Sequence, residues 1–210
     1  MKGKKRVDIK STGREKERIT LILGIDYLNS IKMKPFIILK GTTKRTINNF
    51  LEEKDCILSY QKNGWCNDEQ FINFLSLIPD NKNILLIVDN FSSHKCQNTL
   101  STIKEKFKHI NIRFLPPNTT PILQPLDVGV NKIFKNEIKN FYMSWLVDKF
   151  NQDQTLVKLN KRDRTNLLIN WIKLSWNLIT SETIKKSFEF CGYFKNDTDT
   201  YKWMEYYKNI

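Results

Sequence analysis

Five consecutive apolar residues, Ile84-Leu85-Leu86-Ile87-Val88, run directly into Asp89-Asn90. A run this short and this uniformly apolar reads as a β-strand covered on both faces, which requires a layered α/β architecture. Its neighbours agree. Cys96, Leu100, Ile103 and Phe107 recur at helical spacing, and Ile112-Arg113-Phe114-Leu115 then forms a strand stopped by Pro116-Pro117. Strand, helix, strand in this order predicts a parallel pair.

Upstream, Ile19–Ile25 and Pro35–Leu39 read as two strands joined by a short turn around Asn29-Ser30. Asn67-Asp68-Glu69 offers capping chemistry to a helix whose buried face is Phe71, Phe74, Leu75 and Ile78. Residues 116–127 hold four prolines in twelve positions and predict a shaped loop. A long helix follows, with Val130, Phe134, Ile138, Phe141 and Trp145 on one face. Residues 151–164 are polar and charged and read as a linker or an exposed loop. Leu167, Leu168, Trp171, Ile172, Leu178 and Ile179 mark another helix. Ser181 is the expected cap of a last, short helix carrying Ile184 and Phe188, closed by Gly192.

The charge balance bears on partners. Lys+Arg number 35 against 22 Asp+Glu, a net +13 with a pI near 9.5. That balance suits a polyanion such as nucleic acid; a Lys- and Asn-rich composition of the coding genome is the other source of it. Residues 1–18 alone carry eight basic and three acidic residues, and Lys2-Gly3-Lys4-Lys5-Arg6 reads as a nuclear import patch or a solvated basic end. No apolar run approaches the roughly 20 residues of a membrane span, and the basic start lacks the apolar stretch of a secretory signal. Cys56, Cys66, Cys96 and Cys191 form no CxxC pair, and the two histidines are His94 and His109, so the spacing argues against a structural zinc site and for reduced thiols, mostly in the core.

Two carboxylates stand out by position. Asp89 ends the most apolar strand, at the strand end where α/β sheets gather functional groups. Asp127 follows the proline-framed loop and opens a helix. Brought together, two carboxylates repel unless a cation lies between them. Mg²⁺ takes oxygen ligands and needs one or two carboxylates, and a pair of such ions can activate water and stabilise a leaving oxygen in phosphodiester cleavage. Residue types alone leave a plainer reading open: Asp-Asn after a strand is turn chemistry, and Asp127 is an ordinary helix-opening residue. His94 reads as a carboxylate or phosphate partner, or as an exposed residue at a helix start. Asn90 and Gln124 are candidate donors beside the carboxylates. Trp203, Tyr206 and Tyr207 read as base-stacking residues or as the packed face of a helix.

These same residues carry a resemblance. Residues 84–95, ILLIVDNFSSHK, followed by 112–135, IRFLPPNTTPILQPLDVGVNKIFK, closely resemble the DDE superfamily endonuclease domain of pogo/Tigger-type transposases, related to jerky and centromere protein B. Residues 18–41 resemble that family's second and third strands, 63–75 its Gly-Trp helix segment, and 175–194 its C-terminal helices. The resemblance implies an α/β, RNase H-like mixed sheet flanked by helices. It implies cutting and joining of DNA with three acidic residues and two Mg²⁺ (or Mn²⁺) ions, in the nucleus, by proteins that act as homo-oligomers. Asp89 matches the second acid and Asp127 the third, with 37 residues between them. Asn90, His94, Asn118 and Gln124 match recurring motif positions.

The first acid does not carry over. In the family it lies on the first strand, upstream of the stretch matched here. Asp8 falls in a connector-like segment and Asp26 at the turn between strands. The expected layout is therefore a basic segment over 1–18, a partial catalytic core over 19–150 lacking its first strand, and a C-terminal helical extension over 151–210. That strand would lie between the family's second and fourth, so its loss would leave two strands without their shared neighbour. Two functions follow: a metal-dependent DNA nuclease and strand-transferase, here as a fragment, or a catalytically dead, domesticated protein that binds nucleic acid without cutting it.

Overall fold

The computed structural model describes residues 19–29, 31–48, 50, 54–89, 97–153 and 159–193. Strand β1 (Ile19–Ile22) leads into a small hairpin, β2 (Ile25–Asp26) and β3 (Ile31–Lys32), and then into β4 (Phe36–Lys40). Helix α1 (Arg45–Asn48) and strand β5 (Ile57–Gln61) follow. Helix α2 (Asp68–Leu75) precedes the unit β6 (Ile84–Val88), α3 (Gln97–Lys106) and β7 (Ile110–Phe114). The C-terminal part is helical: α4 (Thr120–Leu123), a π-helical turn (Leu126–Val130), α5 (Asn131–Asp153), α6 (Lys161–Leu178) and α7 (Ser181–Phe190).

Strand β4 pairs antiparallel with β1 (Ile19 opposite Leu39) and parallel with β5 (Phe36 opposite Ile57). Strands β6 and β7 are parallel, Ile84 opposite Ile110 and Val88 opposite Phe114, as the strand-helix-strand order predicts. This is the mixed, helix-flanked sheet expected. Among the described residues it lies in two pieces, β1-β4-β5 and β6-β7, so β1 and β6 each pair on one side only.

Alternation along β4 builds two cores. Phe36 and Ile38 face α2, β6 and β7 in a cluster with Phe71, Phe74, Leu75, Val88, Ile103 and Ile110. Ile37 and Leu39 face the other way, onto Val130, Phe134, Ile169, Ile172, Trp176 and Ile184 from the C-terminal helices. Opposite faces of one pleated strand thus nucleate the two helical layers. The strand covered on both faces is β4, whose Ile37 and Ile38 are 0% exposed. It is not β6, where Leu85 is 60% exposed because only the Ile84, Leu86 and Val88 side meets helices.

Other expectations shift locally. Strand β5 and helix α1 were not anticipated; Ile57-Leu58-Ser59-Tyr60-Gln61 alternates too weakly to mark a strand by pattern. The linker is shorter than 151–164, because α5 continues to Asp153 and α6 starts at Lys161. Asn67 does cap α2, accepting from Gln70 N at 3.1 Å. The last helix is capped by Thr180, whose hydroxyl accepts from Thr183 N; Ser181 is its first residue.

A lysine locks the β2–β3 hairpin to α6. Lys32 Nζ donates to the carbonyls of Trp176 (2.6 Å), Asn177 (3.1 Å) and Ile179 (2.7 Å). Trp176 Nε1 returns a bond to Met33 O at 2.8 Å. The ammonium bonds carbonyls at the C-terminal end of α6, adding to the cap bond that Ile179 N makes to Trp176 O, and sits at the negative end of the helix. Lys32→Met keeps the apolar stem and removes the three charged hydrogen bonds. It should lower stability by about 2 kcal/mol, the scale of hydrogen bonds to a charged group. Thermal denaturation should show a midpoint lower by about 5 °C; an unchanged midpoint would remove the lock from the account.

Candidate functional site

Strand direction fixes which end of the sheet carries the chemistry. The chain leaves β5 through the Gln61–Gly64 turn, where Gly64 takes a φ of 69°. Thr20 Oγ1 donates to Gly64 O at 2.6 Å, so this crossover passes over β1. Two residues later Cys66 meets the charge of Asp89. Burial, then Asp89, then Asp68 push the Cys66 thiol up to about 11. The half-buried Asp89 therefore stands at the end of the sheet where β4 and β5 also finish.

The proline-framed loop departs from beside it. Leu115 N donates to Val88 O at 2.9 Å, carrying the β6–β7 ladder one step past the strands, level with Asp89. Pro116-Pro117-Asn118-Thr119 is then a type II turn. Thr119 N reaches back to Pro116 O at 3.3 Å, and Asn118 has a φ of 63°. Proline at the second position and asparagine at the third are the residues this turn favours. Thr119 is buried and its hydroxyl also donates to Pro116 O, at 2.7 Å.

Helix α4 ends at Gln124, which swings to extended backbone (ψ 108°). Its carbonyl then accepts from Asp127 N at 2.9 Å and Val128 N at 3.0 Å, and Asn131 N donates to Leu126 O, the five-residue step of a π-helical turn. Single π turns inside helices recur at functional sites. Asp127 is exposed on this turn, and Asn131 Nδ2 donates to its Oδ1 at 2.7 Å. Gln124 Oε1 is buried with no hydrogen-bond partner. Leu126 and Val130, on either side of Asp127, pack into the core shared with Ile37 and Leu39.

Of the residues singled out in the sequence, Asp89, Gln124, Asp127 and Asn118 are described. Asn90, His94, Asp8, Cys96, the Lys2–Arg6 patch and Trp203, Tyr206 and Tyr207 lie outside the described residues. Asp26 falls at the other end of the sheet. Strand β1 starts opposite Leu39 and finishes opposite Phe36, so Asp26 follows the end away from Asp89. Its carboxylate is bonded to Asn29 N. Sequence reasoning missed Cys66 and Asp68 as neighbours of this end of the sheet. Their only signal was their place in the capping segment after β5.

Taken singly, the carboxylates of Asp89 and Asp127 and the orphaned amide oxygen of Gln124 are donors of the kind a hard divalent cation takes. In number they fall short. Among the described residues no three His, Cys, Asp or Glu side chains stand close enough to hold a metal ion.

Two predictions follow from this geometry. Asn118→Gly should leave stability near wild type, whereas Asn118→Val should cost about 1–2 kcal/mol, because a β-branched residue resists positive φ; denaturant titration of both variants checks it, and equal midpoints would contradict the turn. Asp89→Asn should shift the pH profile of Cys66 alkylation to lower pH, since a negative neighbour that disfavours the thiolate is gone. Mass-spectrometric labelling rates between pH 8 and 11 read this directly, and an unmoved profile would separate the two residues.

Comparison with known proteins places the chain. The family model described as DDE superfamily endonuclease matches residues 16–188. The chain is 27% identical over 205 residues to a mouse (Mus musculus) protein named "Pogo transposable element with KRAB domain", covering 94% of this chain and 32% of that protein. The human (Homo sapiens) protein of the same name is 27% identical over 204 residues, covering 92% and 32%. "CENP-B homolog protein 2" of Schizosaccharomyces pombe is 21% identical over 198 residues, covering 90% and 38%. The chain thus spans about a third of the length of these relatives. No solved structure matches it.

Proposed function

Because the chain belongs to the DDE superfamily endonuclease family, we propose that it is the DNA-acting core, or a fragment of the core, of a pogo-type transposase, working in the nucleus on DNA phosphodiesters. Endonucleases of this superfamily are generally divalent-metal dependent. The observation that supports the reading best is the shared strand end. Asp89 finishes β6, and the loop leading to Asp127 departs from the neighbouring strand, joined there by the Leu115–Val88 hydrogen bond.

In this reading Asp89 and Asp127 are two of the carboxylates that hold Mg²⁺ or Mn²⁺. The ions, when bound, would lower the pKa of an attacking water and stabilise the leaving 3′ oxygen. Gln124 Oε1, buried and unpartnered, would accept from a water or a substrate hydroxyl beside them. Asn131 Nδ2 holds the Asp127 carboxylate in one orientation. The family's first carboxylate, which has no counterpart among the residues matched here, would come from outside residues 19–193, in a longer chain or in a homo-oligomer. The net charge of +13 attracts the DNA backbone and releases its counterions. Asn90 and His94 are assigned as neighbours of the carboxylates by their motif positions alone.

A second reading rests on the short donor set. With no third acidic ligand among the described residues, a domesticated protein would keep the basic surface and bind DNA without cutting it. Supercoiled-plasmid nicking in Mg²⁺ and Mn²⁺ separates the two. The first reading expects nicking that chelation stops and that Asp89→Asn and Asp127→Asn each reduce to background; nicking that survives Asp89→Asn would overturn it. Salt-sensitive DNA binding with no nicking under either metal would establish the second.

A further inference from the structure

Helix α7 ends in a Schellman cap. Gly192 takes a φ of 80°, its N–H donates to Glu189 O at 3.0 Å, and Tyr193 N donates to Phe188 O at 3.1 Å. The apolar contact that accompanies such caps is the Phe188–Tyr193 ring pair, 5.8 Å between centroids. The cap turns Tyr193 back against the helix, and its hydroxyl donates to Leu123 O at 3.0 Å. Leu123 is the last residue of α4. The next carbonyl, that of Gln124, receives Asp127 N and Val128 N. Burial pushes the phenol up to about 12, so it remains a protonated donor throughout the neutral range.

A second contact from α7 lands on the other side of Asp127. Ser187 is 1% exposed, and its side chain lies so close to Gly129 that a Cβ added there would come within 2.8 Å of Ser187 Cβ. Ser187 Oγ is spent on Ile184 O, at 2.7 Å, so this contact is pure close packing. Helix α7 thus holds the π turn before Asp127, through Leu123, and after it, through Gly129. Tyr193 lies beyond the residues that the family model matches, which end at 188.

We propose that α7 is a clamp on the Asp127 turn, with Tyr193 and the Gly129–Ser187 contact as positioning elements that set where the Asp127 carboxylate stands. The clamp rests on the hydrogen bond and the packing. Its consequence for chemistry rests on the reading of Asp127 as a metal-holding carboxylate given above. Tyr193 supplies no atom to DNA or metal; it acts through the backbone that carries Asp127.

The test uses the full chain, with amide hydrogen exchange over residues 124–131 and Mn²⁺ titration followed by electron paramagnetic resonance. Tyr193→Phe should speed exchange of the Asp127 and Val128 amides by about tenfold, the scale of one buried hydrogen bond, while β4 amides keep their protection. Mn²⁺ affinity should fall severalfold, in the direction of Asp127→Asn. Gly129→Ala should loosen the same amides despite the better helix propensity of alanine, and adding Ser187→Gly should restore them relative to β4. Exchange over 124–131 that changes no more than in β4, or no rescue by Ser187→Gly, overturns the clamp. Loosened amides with wild-type Mn²⁺ affinity, where Asp127→Asn weakens that affinity, overturn its positioning role. Should Asp127→Asn leave Mn²⁺ binding untouched, the metal reading of Asp127 falls instead, and exchange alone decides the clamp.

Discussion

The structure depends on the two-sidedness of β4. Four successive residues, Phe36 to Leu39, are buried, and they alternate between two cores that share no other strand to this degree. Every step of the pleat sends one side chain to α2, β6 and β7 and the next to the C-terminal helices. A polar substitution at Ile37 or Ile38 would place an unpaired group in one core or the other. The candidate site inherits this arrangement. Asp89 follows Val88, which belongs to the first core. Asp127 lies between Leu126 and Val130, which belong to the second. The two carboxylates are therefore carried by residues of different hydrophobic layers, on opposite faces of β4.

Much of this was legible in the sequence because its signals are local. The apolar run at 84–88, the helical spacing of Leu100 and Ile103, and the proline stop after Leu115 each specify one element. Together they yield the parallel β6–β7 pair. The capping chemistry at Asn67 and the closing Gly192 were legible for the same reason. What was not legible depends on partners distant in the chain. Ile84–Val88 looks like the most enclosed strand because hydrophobicity cannot reveal whether a second layer covers it. In the structure Leu85 meets solvent, and enclosure belongs to β4. Strand β5 escaped notice because its pattern is mixed; its pairing with β4 makes it a strand.

The site was legible as residues and illegible as geometry. Asp89 and Asp127 are marked by strand-end and loop-end positions. Nothing in their spacing announces the π turn that carries the exposed Asp127, since that turn is defined by the five-residue bond from Asn131 N to Leu126 O. Asn118 is a partial exception. The prolines of 116–127 predict a shaped loop, and the structure gives it a type II turn with positive φ at Asn118. Tyr193 could not be read at all as part of this region, because its bond to Leu123 spans 70 residues of chain.

The break in the sheet gives these tethers their weight. A continuous ladder would hold β6 to β1 by backbone hydrogen bonds, which fix register to a fraction of an ångström. Among the described residues β1 and β6 share no such bonds. Asp89 is located relative to β4 by side-chain packing around Phe36, Ile38 and Val88, and by the crossover from Gly64 to Cys66. Packing tolerates small slides that a ladder forbids, whereas a reactive constellation must be held within about half an ångström. Asp127, by contrast, is tied on both sides by specific contacts from α7. Among the described residues, the edges of β1 and β6 that pair with no strand lie on the Asp89 side. A strand paired to both would convert Asp89 from a packed position to a laddered one, as its neighbour β7 already is on the other side.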